Sequence, residues 1–83
     1  MSNSDIKILV VDDELSVRES FQMILQLRDY QVDTAATPEE AREKADGGKF
    51  DIAFVDLRLK AGEEGLDVLK HLKSKKPSPE VVM

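Results

Sequence analysis

Residues 50–69 read FDIAFVDLRLKAGEEGLDVL, and their reading decides the fold. The stretch opens as a short, nearly unbroken apolar run, Phe50, Ile52, Ala53, Phe54 and Val55, which reads as a strand buried on both faces. It stops on one acidic residue, Asp56. A loop with Gly62 and Gly65 follows, and then a third helix that carries Leu66, Leu69 and Leu72 inward with Val68 flanking them. Open α/β sheets place their chemistry outside the carboxyl ends of buried strands, which makes Asp56 the candidate functional centre.

Downstream, Lys70, His71, Lys73, Lys75 and Lys76 suit the negative end of that helix, and Pro77 and Pro79 end it. Residues 80–83, EVVM, begin a fourth strand, on whose edge Val81 and Val82 would sit. Upstream, Thr37-Pro38-Glu39-Glu40 is a strong helix start: Thr37 caps, Pro38 fits the first helical position and Glu40 closes a capping box. This second helix stops at Gly47-Gly48. Residues 31–36, QVDTAA, form a short second strand. Residues 6–11, IKILVV, are apolar and β-branched, a buried first strand. Val17, Phe21, Ile24 and Leu25 recur at helical spacing, which predicts a first helix over 14–28, with Ser16 and Glu19 as a capping box and Asp13 as a competing cap. The order is βαβαβαβ, which implies a doubly wound parallel sheet with helices on both faces.

The chain has 83 residues, enough for one small domain. Charged residues make up 35% and hydrophobic residues 41%, the balance of a soluble globular chain. There are no cysteines, so neither a disulfide framework nor a thiolate metal site is expected. No apolar run is long enough to span a bilayer, and residues 1–5, MSNSD, lack a signal-peptide pattern, so the expected location is cytoplasmic with no membrane contact. The net charge of −5 argues against direct nucleic-acid contact and permits a cation partner.

The first strand ends on Asp12 and Asp13, and the third on Asp56. In a flavodoxin-like strand order those two strands are neighbours, so the three carboxylates converge at one rim. Each alone suits a bland reading, since acids at a strand-to-helix junction cap helices. Together they repel unless a cation joins them, and oxygen-only donors suit Mg²⁺. An aspartate beside such an ion can act as a nucleophile toward phosphorus.

The sequence resembles the receiver domain of two-component response regulators, the CheY-like family. The residues that carry the likeness are ILVVDDE at 8–14, DIAFVDLRL at 51–59, and the Gly-Leu-x-Val-Leu run at 65–69. The wording around DLRL is similar to receivers of NtrC-like transcriptional activators. The resemblance implies a CheY-like fold over residues 1–83, truncated after the start of the fourth strand and so incomplete at the C-terminus. It implies that Asp56 is the phosphoacceptor. The metal site would hold Mg²⁺ through Asp12, Asp13, Asp56 and the backbone carbonyl of Arg58. It implies a sensor histidine kinase as phosphodonor, a downstream output domain that regulates transcription, and a signalling module rather than an enzyme. Three departures from the family pattern stand out. The switch Thr or Ser of the fourth strand and the Lys of the fifth have no counterpart up to Met83. Lys60 replaces the usual Pro, and the loop from Asp56 to Gly65 is one residue longer.

The alternative is a structural or interaction fragment that keeps the acidic metal site without switching. A phosphohydrolase is disfavoured, because Arg58 stands where an acid/base Asp would be needed. Thr34 and Thr37 lie on or after the second strand and do not replace the missing hydroxyl. His71 and the surrounding lysines read as solvated surface. An unpaired fourth-strand edge predicts a homo-oligomer when these residues fold alone.

Overall fold

The computed structural model describes residues 3–56, 64–75 and 78–82. After one 3-10 turn at Asn3–Asp5, the elements are β1 (Lys7–Val11), α1 (Leu15–Leu27), β2 (Gln31–Ala35), α2 (Pro38–Gly47), β3 (Ile52–Val55), α3 (Glu64–Lys73) and β4 (Glu80–Val82). All pairings are parallel and the sheet order is β2-β1-β3-β4. This is the doubly wound, flavodoxin-like order anticipated from the strand-helix alternation. Among the described residues no helix is long and apolar enough to cross a membrane.

The two faces of the sheet are covered unequally. One face builds the core: Leu9, Val11, Ala35, Ala53 and Val55 pack with Ala41 and Ala45 of α2 and with Val68 and Leu72 of α3. Four alanines in that set let the helices lie close to the sheet. The other face is covered by α1, which packs on β2 and β1. It leaves Phe54 of β3 half-buried, against the Phe21 ring at a centroid separation of 5.4 Å and a tilt of 37°. Burial on both faces, expected along the apolar run, therefore holds for β1 and fails for β3, because α1 does not extend over it. Large apolar side chains stay exposed on this side, among them Met23 at 61% and Leu27 at 76%.

Helix boundaries follow the sequence closely, with instructive exceptions. Thr37 accepts a hydrogen bond from the Glu40 N–H at 3.1 Å, the cap expected there, and Pro38 follows it. At α1 the capping box on Ser16 does not form. The N-cap is Glu14, and no side chain caps the helix. The reason is local: the acids before the helix fold into their own turn, in which the Glu14 N–H donates to Asp12 Oδ1 at 2.9 Å. The far end of α1 closes on Asp29, in the left-handed region at φ 68, with its N–H donating to the Gln26 carbonyl at 3.0 Å. In α3 the inward residues are Val68 and Leu72, one turn apart, while Leu69 is half-buried. Leu72 is thus inward as expected, while Val68, expected to flank, is more deeply buried than Leu69. The side chain of Leu66 lies outside the described residues.

Polar clamps tie the helices down. Lys44 of α2 pairs with Asp33 of β2 at 2.7 Å and donates to the Thr34 carbonyl. Asp46 at the end of α2 holds His71 of α3 at 2.8 Å and also pairs with Lys75. His71 and Lys75 are thus partly buried partners of one carboxylate rather than the solvated surface expected of them.

Candidate functional site

The site forms where β1 and β3 end side by side. Their register pairs Val11 with Val55, so the residues that follow each strand emerge next to one another. The Asp56 N–H donates to the Val11 carbonyl at 3.0 Å, extending the ladder by one bond, and the Asp12 N–H donates to the Ala35 carbonyl of β2 at 3.1 Å. Asp12 and Asp56 are thereby fixed at the carboxyl rim of the sheet, and Asp13 follows one residue on. Carboxylate oxygens of Asp12, Asp13 and Asp56 all lie within 4.8 Å of one another, and each residue is half-buried. Arg58, expected to add its carbonyl, lies outside the described residues.

Three carboxylates this close create a field that favours a cation. Two unit charges about 4 Å apart interact with roughly 4 kcal/mol at the effective dielectric of a protein surface. The donors are all oxygen, which is the chemistry of Mg²⁺ rather than of zinc or copper. One oxygen of Asp12 is already engaged by the Glu14 N–H. That leaves Asp12 with less capacity for direct ligation than an unengaged carboxylate would have. Beside the acids runs an apolar groove of about 460 Å³, lined by Val17, Phe21, Phe54 and Val82 together with Asp12 and Asp56.

Sequence reasoning did not single out Arg18. Its Nη1 donates to the backbone carbonyl of Asp12 at 2.8 Å, from one turn inside α1. The signal was present only as a spacing: helical side chains lean toward the N-terminus, so a long cation in the first turn reaches back over the loop.

Residues 8–83 match the response regulator receiver domain family. Among curated proteins, the chain is 32% identical over 80 residues to the transcriptional regulatory protein ResD of Bacillus subtilis, covering 96% of this chain and 33% of ResD. It is 38% identical over 78 residues to the alginate biosynthesis transcriptional regulatory protein AlgB of Pseudomonas aeruginosa, covering 93% of this chain and 17% of AlgB. The chain thus spans a third or less of the length of these relatives. Among solved structures it superposes on the response regulator TrrA of Thermotoga maritima, in complex with Mg²⁺-BeF, with a TM-score of 0.83 at 35% identity over 94% of this chain and 67% of that one. TrrA in complex with the histidine kinase ThkA gives a TM-score of 0.79 at 36% identity, covering 92% of this chain and 65% of that one. The transcriptional relatives agree with the likeness to receivers of transcriptional activators seen around the DLRL stretch. With residues 8–83 matched to the family and the strands in a parallel sheet of order β2-β1-β3-β4, this chain belongs to the response regulator receiver domain family of two-component signalling.

Proposed function

We propose that Asp56 accepts a phosphoryl group from a sensor histidine kinase, with Mg²⁺ held by Asp12, Asp13, Asp56 and the Arg58 carbonyl, in a cytoplasmic relay. The phosphorylated state is read by an output domain that regulates transcription. The observation that carries this reading is the approach of three carboxylates from two strand ends to within 4.8 Å. The family match supports it, as do the Mg²⁺-BeF complex and the kinase complex solved for TrrA.

In the transfer, a carboxylate oxygen of Asp56 bonds to phosphorus as the bond from phosphorus to the kinase imidazole nitrogen breaks. The electron pair returns to the imidazole, and the product is an aspartyl phosphate. Bound Mg²⁺ offsets the combined negative charge of the acids and the incoming group. Asp12 and Asp13, with carboxylate oxygens within 4.8 Å of one on Asp56, would hold that ion. The module is the acceptor in this step and turns over no substrate of its own.

The test is the intact mass of the chain after incubation with Mg²⁺ and acetyl phosphate, with Asp56→Asn as control. One phosphate adduct is expected, dependent on Mg²⁺ and absent from the variant. An adduct that persists in Asp56→Asn would overturn the assignment of the acceptor. Mg²⁺ binding with no adduct would favour a non-switching module that keeps only the metal site.

A further inference from the structure

We propose that Arg18 is the positioning residue of the acidic site, acting through the peptide group between Asp12 and Asp13. This inference rests on the metal-site reading above. The Asp12 carbonyl that accepts from Arg18 Nη1 at 2.8 Å belongs to the same planar unit as the Asp13 nitrogen. A grip on that oxygen therefore constrains the plane from which both Asp12 and Asp13 depart, and with it the backbone positions from which both carboxylates start.

The remaining anchors of Asp12 show why this bond matters. Its N–H is tied to Ala35 at the end of β2, at 3.1 Å. Its Oδ1 is tied to the Glu14 N–H within the loop, at 2.9 Å. Arg18 supplies the tie to α1, whose first intrahelical bond runs from its own N–H to the Glu14 carbonyl at 3.1 Å. The loop thus hangs between a sheet and a helix, and Arg18 couples the two. The guanidinium is partly buried, so its bond to the carbonyl is charge-assisted and shielded from competing water.

Repulsion by the Arg18 charge and orientation of the ligands by Arg18 act on Mg²⁺ affinity with opposite signs. A cation near three carboxylates weakens Mg²⁺ binding by repulsion, so if Arg18 acted only through its charge, removing it would tighten binding. If it acts by orienting ligands, removing it loosens binding, by about tenfold as for other outer partners of metal ligands. Arg18→Met keeps the bulk and deletes charge and donors. Arg18→Lys keeps the charge and a donor for the single carbonyl contact.

Two measurements on the 83-residue chain decide the matter. In Mg²⁺ titrations, Arg18→Met is expected to bind about tenfold more weakly than wild type, and Arg18→Lys within a few-fold of it. In metal-free hydrogen exchange, the Glu14 amide is expected to lose protection in Arg18→Met, while Leu9 and Ala53 in the core keep theirs. Binding at or above wild-type affinity in Arg18→Met, with Glu14 protection unchanged, would overturn the proposal. So would loss of Leu9 and Ala53 protection in both variants, which would assign Arg18 to overall stability. A wild-type chain that binds no Mg²⁺ would instead overturn the proposed function, and the metal-free exchange would still decide whether Arg18 orders the loop.

Discussion

At the scale of single residues, charge placement separates the groups that hold the fold from those that do chemistry. Burial alone would raise the Asp33 carboxyl, but the hydrogen bond from Lys44 and the Thr34 N–H outweigh it and hold the group below its ordinary value. Burial likewise works against the Lys44 ammonium, and Asp33 with Glu40 more than compensates, leaving it raised. A carboxyl lowered in the folded state contributes stability above its unfolded value, about 3.9, and loses it as pH falls through the folded value. A raised lysine contributes below its unfolded value, about 10.4, and loses it as pH rises through the folded value. The pair therefore stabilises across the range between. Asp33→Asn should cost about 0.5–1 kcal/mol at neutral pH in urea unfolding, a modest figure because both side chains are partly solvated. The gap between variant and wild type should close as pH falls below 4. A gap that stays constant to pH 2 would show that the ion pair contributes nothing. Asp46, lowered by Lys75 and then His71, should add to the same acid limb.

Among secondary-structure elements, capping decides how much each helix depends on the rest. α2 carries a complete N-terminal signal, with Thr37 bonded to the Glu40 N–H and Pro38 behind it. Thr37→Ala should lower the stability of the domain by about 1 kcal/mol, with Thr37→Ser close to wild type, by thermal or urea unfolding. An unchanged midpoint in Thr37→Ala would mean that packing of Ala41 and Ala45 alone sets the helix start. This start was legible because its partners are three residues apart in the chain. The start of α1 was not, because Glu14 takes the N-cap position while its N–H serves Asp12, a choice made by the acidic loop and not by local propensity. For the same reason Asp12, Asp13 and Asp56 could be read from strand ends, whereas Arg18 could not. Its partner is a backbone carbonyl, which no residue type in the sequence marks out, so only the position of Arg18 in the first turn of α1 hints at the contact. In α3 the inward place of Leu72 was legible, but Val68 and Leu69 are adjacent apolar residues and spacing alone did not decide which of them turns fully inward. The contact with the small Ala41 and Ala45 surface then selects Val68 and Leu72.

For the molecule as a whole, the imbalance between the two faces of the sheet is the dominant property. α2 and α3 seal one face, and α1 covers only part of the other. β4 is an edge strand among the described residues, with Val82 46% exposed, next to a groove lined by Phe21 and Phe54. Edge strands flanked by apolar surface pair readily with a second chain. The 83-residue chain should therefore associate with itself at rising concentration, and Val82→Lys should shift it toward the monomer in sedimentation velocity. A monomer at all concentrations would show that the groove and edge are tolerated in water.

The placement of β1 between β2 and β3 has one further consequence, which concerns time rather than space. β1 can form its first ladder once β2 has been made, but its second neighbour lies some forty residues further along the chain. The acids are divided by the same gap, so at a ribosomal pace of about 5–20 residues per second Asp56 is polymerised roughly two to nine seconds after Asp13. A nascent chain thus carries two of the three clustered acids for seconds before the third exists. If Mg²⁺ binds as proposed, the three-carboxylate site is complete only in the finished sheet, and binding there would stabilise that sheet by mass action.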